Sequence, residues 1–189
     1  MSSLSHWFAP HPEWEPGENW PQEVLCVRLD TPGGTVLIDP LDAPDDLEPP
    51  VQVLLSAPWH ARGTAQVVER HGASVWAPPR AHWRGPSPVT TEVLPAGVEA
   101  LCPRGDDNQA LFWLPEHRTL VTGDVFSGTG GRFHVFYDPD DVEVAPFLAW
   151  LPTLLELPVE RVLIAHGEPV LSDGAARLRE AIREVNPSK

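Results

Sequence analysis

The sequences RTLVTGDVFSGTGGRFHVF (residues 118–136) and ERVLIAHGEPV (residues 160–170) decide the fold of this chain. Each contains a short apolar run, which predicts a buried β-strand. The first run ends in Gly-Asp, which places Asp124 after the strand, and the second ends in His-Gly, which places His166 there. Both side chains can bind a metal or transfer a proton, and α/β proteins place ligand sites at the ends of strands. The two stretches therefore predict a functional site that contains Asp124 and His166.

The length and composition of the chain bound its organisation. It has 189 residues, of which 42% are hydrophobic. This length favours one domain over two, and this apolar share is enough for a substantial core. We predict a single domain over residues 1–189. Residues 1–21 form a Trp- and Pro-rich N-terminal extension packed on that domain, which is interpreted either as simple packing or as a lid over a pocket.

The charge and the cysteines of the chain exclude several classes of partner and location. Lys and Arg number 13 against 27 Asp and Glu, which gives a net charge of −14. Such a charge repels phosphate, so neither nucleic acid nor a membrane surface is an expected partner. No apolar run approaches the roughly 20 residues of a membrane span, and the N-terminus lacks a signal peptide's pattern. Cys26 and Cys102 lie in apolar runs and are expected to be buried, reduced thiols, which fits a cytoplasmic protein.

Hydrophobic periodicity predicts short strands interrupted by three helices. The predicted strands are residues 23–29, 35–38, 51–55, 74–77, 91–94, 98–102, 110–114, 118–122 and 162–165. The predicted helices are residues 63–71, 140–157, with a bend or break at Pro152, and 173–184. A long loop over residues 78–90 carries His82 and Trp83. Two antiparallel-rich sheets with helices packed outside them would satisfy this order.

Five phrases, in this order, resemble the metallo-β-lactamase superfamily. They are GTVLIDP, VQVLLS, GTAQVVERHGASVWAP, ALFWLPEHRTLVTGDVF and ERVLIAHGEPV. The resemblance covers the chain from about Glu23 to the C-terminus, and it implies an αββα sandwich. It also implies that Asp124 matches the aspartate that bridges two metal ions in the superfamily, and that His166 matches its last histidine ligand.

The other ligands that the resemblance implies are missing. In the superfamily, a His-x-His-x-Asp-His cluster follows the VLLS-like strand, and a further histidine follows in a Pro-Gly-His phrase. The residues at those positions here are Ala57, Trp59, Ala61, Arg62 and Gly105. The usual two-metal hydrolysis is therefore not expected, because a catalytic zinc typically needs three protein ligands and an open position.

His60 lies one residue out of register with the missing cluster and leaves two interpretations open. It is either an exposed loop histidine or a replacement ligand, if the loop is offset by one residue. In the second case His60, Asp124 and His166 would hold one divalent metal, namely zinc, iron or manganese, and His134 could add a ligand. The cofactor prediction is thus either no metal or at most one.

Arg62 suggests an alternative without a metal. It is a permanent cation at the position of a cation-binding histidine. If the loop keeps the superfamily's path, an Arg62–Asp124 salt bridge would neutralise the carboxylate that a metal otherwise neutralises. Asp124 buried without either partner would be costly.

The sequence leaves three functions open, all centred on a cleft lined by Trp59, His60, Arg62, Asp124 and His166. The first is a hydrolase with at most one metal that acts on a small ester, lactone or thioester. The second is a catalytically silent protein in which Arg62 and nearby tryptophans bind a small anion. The third is an interaction protein whose former pocket is filled. A small-molecule ligand is the expected partner in the first two.

Overall fold

The computed structural model describes residues 2–78 and 90–186. The strands are β1 Ser3–Pro10, β2 Glu23–Thr31, β3 Gly34–Ile38, β4 Val51–Leu54, β5 Ser74–Trp76, β6 Glu99–Leu101, β7 Leu111–Leu114, β8 Thr119–Val121, β9 Phe126–Ser127, β10 His134–Val135 and β11 Arg161–Leu163. The helices are α1 Thr64–His71, α2 Val144–Trp150 and α3 Gly174–Val185. His82 and Trp83, in the predicted loop over residues 78–90, lie outside the described residues.

The first sheet has five strands in the order β1-β2-β3-β4-β5. Strand β2 is antiparallel to both of its neighbours, β1 and β3, whereas β3, β4 and β5 run parallel. The parallel register pairs Ile38 with Leu54, so β3 and β4 end side by side. The residues that follow these two strands therefore lie at the same end of the sheet.

The second sheet has four strands in the order β11-β8-β7-β6. Strands β8 and β11 are parallel, with Val121 paired to Leu163, and the other pairs are antiparallel. The segments that follow β8 and β11 are therefore also neighbours. Strands β9 and β10 form a separate antiparallel pair beside this sheet.

The two sheets pack face to face, and helices cover their outer faces. Between the sheets, Leu25 and Ile38 of the first share one buried cluster with Phe112 of the second. Helix α1 adds Val67 to the cluster on the outside of the first sheet. Helices α2 and α3 pack on the outside of the second sheet, where Phe147 lies in the largest buried cluster. The predicted αββα sandwich is confirmed.

Two predicted elements differ from those observed. Residues 91–94 do not form a strand, because the hydroxyl of Thr91 accepts a hydrogen bond from the Val93 amide and Val93 is 72% exposed. The helix predicted over residues 140–157 begins only at Val144, after a turn, and gives way to a 3-10 helix, Leu151–Glu156. Pro152 lies at the start of that change, where its ring cannot continue an α-helix.

The N-terminal residues belong in part to the first sheet. Strand β1 pairs along its whole length with β2 and forms an edge of that sheet. The sequence there has no clear alternation, so no strand was predicted. Cys26 is buried, as expected, whereas Cys102 is exposed because it lies just beyond the end of β6. Among the described helices, none has the length and hydropathy that a bilayer crossing requires.

Candidate metal centre

The site forms where strand ends from both sheets meet. Asp39 follows β3 and Ser56 lies just after β4, so the parallel register places them together. Asp124 and His166 follow the parallel strands β8 and β11 in the same way. At this end of the strands, a backbone hydrogen bond of 2.8 Å from the Ala110 amide to the Ser56 carbonyl joins the two sheets.

Gly123 allows these segments to approach closely. Its φ is +53°, and a Cβ atom at this position would lie 2.7 Å from the Cβ of Ser56. A side chain here would therefore be strained by its backbone and blocked by its neighbour. The Gly-Asp pair at the end of β8 is thus required for Asp124 to reach the residues that follow β4.

His60, Asp124 and His166 converge on one point. His60 Nε2 lies 3.1 Å from Asp124 Oδ2, and His166 Nε2 lies 3.4 Å from Asp124 Oδ1. One potential ligand atom of each residue lies within 4.8 Å of the others. Tetrahedral coordination at bond lengths of about 2.0–2.1 Å separates neighbouring ligand atoms by about 3.3–3.4 Å. The two His–Asp124 distances match this separation, and the full span of 4.8 Å would have to contract slightly around a single cation.

The hydrogen bonding of the cluster also fits a cation. Among the described residues, His60 Nε2 and Asp124 Oδ1 are buried and have no hydrogen-bond partner, although each lies close to another polar atom. Buried polar atoms are rarely left in this state unless an ion or a water satisfies them. Two imidazoles and one carboxylate are a donor set that suits zinc or ferrous iron. The residues therefore fit one divalent metal.

The same test fails for a second metal at the superfamily's positions. Ala57, Ala61 and Gly105 carry no donor atoms in their side chains. Trp59 has only an N–H group, which donates and cannot coordinate. Its Nε1 donates to Asp124 Oδ2 at 2.8 Å, so it already uses one oxygen of the carboxylate.

His60 is held from behind by Asp39 and Ser56. It is fully buried, so its interpretation as an exposed loop histidine is wrong. Its Nδ1 lies 3.0 Å from Asp39 Oδ2 and 2.8 Å from Ser56 Oγ. The Ser56 hydroxyl in turn donates to Asp39 Oδ2 at 2.5 Å, and the Ser56 amide donates to Asp39 Oδ1 at 2.8 Å. A carboxylate that accepts from Nδ1–H fixes the ring and turns Nε2 toward Asp124.

The charges of the cluster are strongly coupled when no metal is bound. Burial and the positive charge of Arg62 lower the pKa of His60, but the carboxylates of Asp124 and Asp39 outweigh both and raise it to about 9. Burial would raise the pKa of Asp124, yet His60 and His166 hold it well below its usual range. Without a metal, the raised pKa keeps His60 protonated near neutral pH, next to the ionised carboxylate of Asp124.

His166 is positioned by packing and by its backbone. Its Nδ1 is buried and has no hydrogen-bond partner in residues 2–78 and 90–186. The indole of Trp20 packs edge-on against its ring, with centroids 5.0 Å apart, and His11 packs against Trp20 at 5.1 Å. The backbone of His166 also bridges to Val24 of β2. The N-terminal segment thus forms one wall of the site.

The hypothesis of an Arg62–Asp124 salt bridge is wrong. Within the described ranges no ion pair joins these two side chains, and the 3-10 turn Pro58–Ala61 brings Trp59 and His60 against the carboxylate instead. Arg62 ends that turn with φ 22° and ψ −104°, an uncommon conformation for a residue with a side chain. Such strain is typical of functional positions.

A cleft of about 900 Å³ opens beside the cluster. Residues that line it include His11, Glu13, Trp59, Arg62, Asp106, Gln109, Asp124, Phe136, Tyr137, Asp138 and Asp141. Of the three cluster residues, Asp124 lines the cleft, so a molecule there meets the cluster from the side of this carboxylate. An open cleft of this size does not favour the interpretation of a filled pocket.

Sequence reasoning missed some residues of the site and included one that lies elsewhere. His134 makes its contact to the backbone of Arg132 and is not part of the cluster. Asp39 and Ser56 were not predicted, although both follow buried strands and the argument applied to Asp124 would have found them. No sequence pattern indicates His11 or Trp20, because only folding brings the N-terminal segment to the strand ends where the site lies.

Comparison with known proteins agrees with the fold. No protein-family profile matches the chain, and no curated protein sequence matches it. Among solved structures, TTHA1623 in a di-iron-bound form is 27% identical, with a TM-score of 0.61 over 79% of this chain and 90% of its own. ST1585 from Sulfolobus tokodaii, an archaeal metallo-β-lactamase superfamily protein, is 14% identical, with a TM-score of 0.66 over 98% of this chain and 87% of its own.

A metallo-β-lactamase from Pontibacter korlensis is also similar, at 15% identity and a TM-score of 0.66 over 97% of this chain and 99% of its own. The predicted resemblance is confirmed: the chain has the fold of the metallo-β-lactamase superfamily, with a partial set of its ligands. Its His and Asp cluster, which could hold a metal, lies at the strand ends of the two sheets.

Proposed function

We propose that the chain is a hydrolase of metallo-β-lactamase fold that uses one divalent metal and acts on a small ester, lactone or thioester. The observation that carries this proposal is the convergence of His60, Asp124 and His166 within 4.8 Å. His60 takes part from a position where the superfamily has no ligand. The set is therefore complete for one metal, although most of the usual ligands are absent.

A divalent cation in such a site supplies Lewis acidity, which polarises a carbonyl oxygen and makes water a better nucleophile near neutral pH. The rest of the chemistry depends on the chain. Asp39 accepts a hydrogen bond from His60 Nδ1–H and so keeps Nε2 directed at the cluster. Trp59 binds one oxygen of Asp124 and holds its carboxylate plane. These contacts order the ligand atoms before a substrate arrives, which is how protein sites favour a reaction.

The cleft accounts for the size of the proposed substrate. Its volume, about 900 Å³, lies within the range of small-molecule sites. Asp124 opens onto it, so a carbonyl group in the cleft would lie next to the cluster. A small ester, lactone or thioester presents such a carbonyl and needs no extended binding surface.

The second candidate function is binding of a small anion without turnover. Arg62 favours it, because Nε and Nη1 of this cation are buried in the cleft wall without hydrogen-bond partners. The two candidates share the cleft and differ in whether the bound molecule reacts.

The test is metal-dependent hydrolysis. Protein stripped with chelator would be reloaded with zinc, ferrous iron or manganese and assayed on a panel of aryl esters, lactones and acyl thioesters. Hydrolysis should appear on loading with one of these metals and disappear in His166→Ala. His134→Ala is the matched control and should retain activity, because His134 lies away from the cluster. Binding of a small anion, with no hydrolysis of any panel member under any loading, would favour the second candidate.

A further inference from the structure

We infer that Arg62 anchors a monoanionic carboxylate, so that the substrate of the cleft is a small acyl compound with one free carboxylate and an apolar body. This inference rests on the proposed function for the reaction itself. The anchoring by Arg62 is a property of the chain alone and can be measured without metal.

The first argument is the unsatisfied state of the guanidinium. Nε and Nη1 of Arg62 are buried without a hydrogen-bond partner, and its side chain forms no ion pair with any described residue. The chain carries a net charge of −14, and Asp124 and Asp106 line the same cleft, so carboxylates are plentiful nearby. Arg62 lines the cleft and forms no ion pair with these carboxylates, so its charge is available to a ligand that binds there. Carboxylate is the group that its planar N–H donors match best.

The second argument is the electrostatic effect of Arg62 on its neighbours. After burial, its charge is the largest cause that lowers the pKa of His11, which lines the same cleft. Arg62 therefore acts as a positive centre in the inner part of the cleft. An anion bound there would be stabilised by a charge that no other described side chain neutralises.

The third argument concerns the shape and charge of the outer cleft. Trp59 is 54% exposed and Phe136 is 49% exposed, and both line the cleft together with Tyr137. Large exposed aromatic side chains at a cleft favour an apolar or aromatic ligand body. The exposed carboxylates of Glu13 and Asp138 lie at the same cleft and disfavour a dianion such as a phosphate monoester. A monocarboxylate with an apolar body satisfies both conditions.

The arrangement also gives such a ligand a direction. Arg62 and Asp124 both line the cleft, so a molecule held through its carboxylate at Arg62 extends past the cluster. Its ester or thioester carbonyl would then be presented to the cluster, while its apolar part packs on Trp59. The anchor would select substrates by a group that takes no part in the reaction.

The experiment uses calorimetric titration of chelator-stripped protein with phenylacetate, with its neutral analogue phenylacetamide, and with phenyl phosphate. Phenylacetate should bind at least about tenfold more tightly than phenylacetamide, because hydrogen bonds to charged groups are among the strongest in proteins. Phenyl phosphate should bind more weakly than phenylacetate. Arg62→Gln should abolish this preference, whereas the matched control Arg179→Gln, on the exposed face of α3, should retain it.

Equal binding of phenylacetate and phenylacetamide by the natural chain would overturn the inference, as would an unchanged preference in folded Arg62→Gln. If that variant does not fold, the comparison of the ligands on the natural chain decides alone. A higher affinity for phenyl phosphate would also contradict the choice of a monoanion. Because no metal is present, failure of this test is distinct from failure of the proposed function, which is read from metal-dependent hydrolysis.

Discussion

The two sheets contribute to the site in different ways. The second sheet supplies Asp124 and His166, which match the residues that the superfamily resemblance implies at the ends of β8 and β11. The first sheet supplies residues 56–62, where none of the resemblance's ligand positions keeps its residue type. Yet this divergent loop places His60 against Asp124, at a distance of 3.1 Å.

The difference teaches that a histidine at another sequence position can reach the same carboxylate. A 3-10 turn, Pro58–Ala61, and the buried Asp39 and Ser56 behind it together determine which side chain faces the cluster. A parallel strand end, in contrast, fixes the position of Asp124 directly. The contributions of the two sheets can be tested separately.

The largest effect should come from the side of the second sheet. In Asp124→Asn, the shared carboxylate is lost and metal affinity should fall by more than about a hundredfold, because even outer partners of ligands are worth about 10–100-fold. Asp138→Asn removes a carboxylate from the rim of the same cleft and should leave affinity unchanged. Competition titration with a chromophoric chelator measures both. Equal affinity in Asp124→Asn and the natural chain would remove Asp124 from the ligand set.

The next effect is the pH dependence of metal affinity that His60 should cause. The pKa of His60 is raised to about 9, so metal binding near neutral pH must release its proton. The apparent metal affinity should therefore rise by about a hundredfold between pH 7 and pH 9 and level off above that. Measuring the affinity by competition titration at several pH values gives this slope. A flat profile would show that metal binding releases no proton from His60 in this range.

The same shift predicts the stability of the metal-free protein. Because the pKa of His60 is raised above its unfolded value of 6.5, its contribution is complete below that pH and is lost as pH rises through about 9. The free energy of unfolding should fall by about 3 kcal/mol across this window. Urea unfolding of chelator-stripped protein from pH 6 to pH 10 tests this, and His134→Gln should show the same fall as the natural chain.

Removal of the partner behind His60 should have an intermediate effect. Asp39→Asn keeps the size of the side chain but no longer accepts as an anion from His60 Nδ1, so metal affinity should fall by about 10–100-fold. Asp45→Asn, on an exposed loop, is the matched control. If Asp39→Asn lowers thermal stability but not metal affinity, Asp39 has a structural role and does not position the ligand.

The smallest effect should come from the aromatic wall beside His166. Trp20→Leu removes the edge-on contact to that ring. We expect about a two- to tenfold loss of metal affinity, because the free energy of an aromatic contact corresponds to a factor of this size. Phe8→Leu changes a partly exposed aromatic residue of β1 and should have no effect on the metal. An equal loss in both variants would indicate a general change in the sheet and no specific role for Trp20.

The sequence predicted the fold better than the site because the two depend on different information. Periodic apolar runs located most strands, and the resemblance supplied their arrangement. Strand ends located Asp124 and His166 for the same reason. The path of the loop after β4 depends on a 3-10 turn and on buried hydrogen bonds from Asp39, neither of which has a periodic signal. The sequence therefore predicts the salt bridge from Arg62 to Asp124 wrongly, although Arg62 lines the cleft as expected, and it leaves the placement of His60 open.

The edge strand β1 shows the same limit in another form. Its burial pattern is irregular, because it pairs on one side only and few of its side chains enter the core. No alternation was visible, so neither this strand nor the arrival of Trp20 at His166 was predicted. Prediction from sequence failed where long-range contacts, not local patterns, determine the position of a residue.

The central claim is that one metal is held jointly by Asp124 and His166, which follow strands of the second sheet, and by His60, which follows the first sheet. Its most direct test is elemental analysis of the protein after reloading with a single metal and removal of the excess, for the natural chain and for His60→Gln. The account predicts about one equivalent of metal per chain in the natural protein and almost none in the variant. Two equivalents per chain, or one equivalent unaffected by loss of His60, would contradict it.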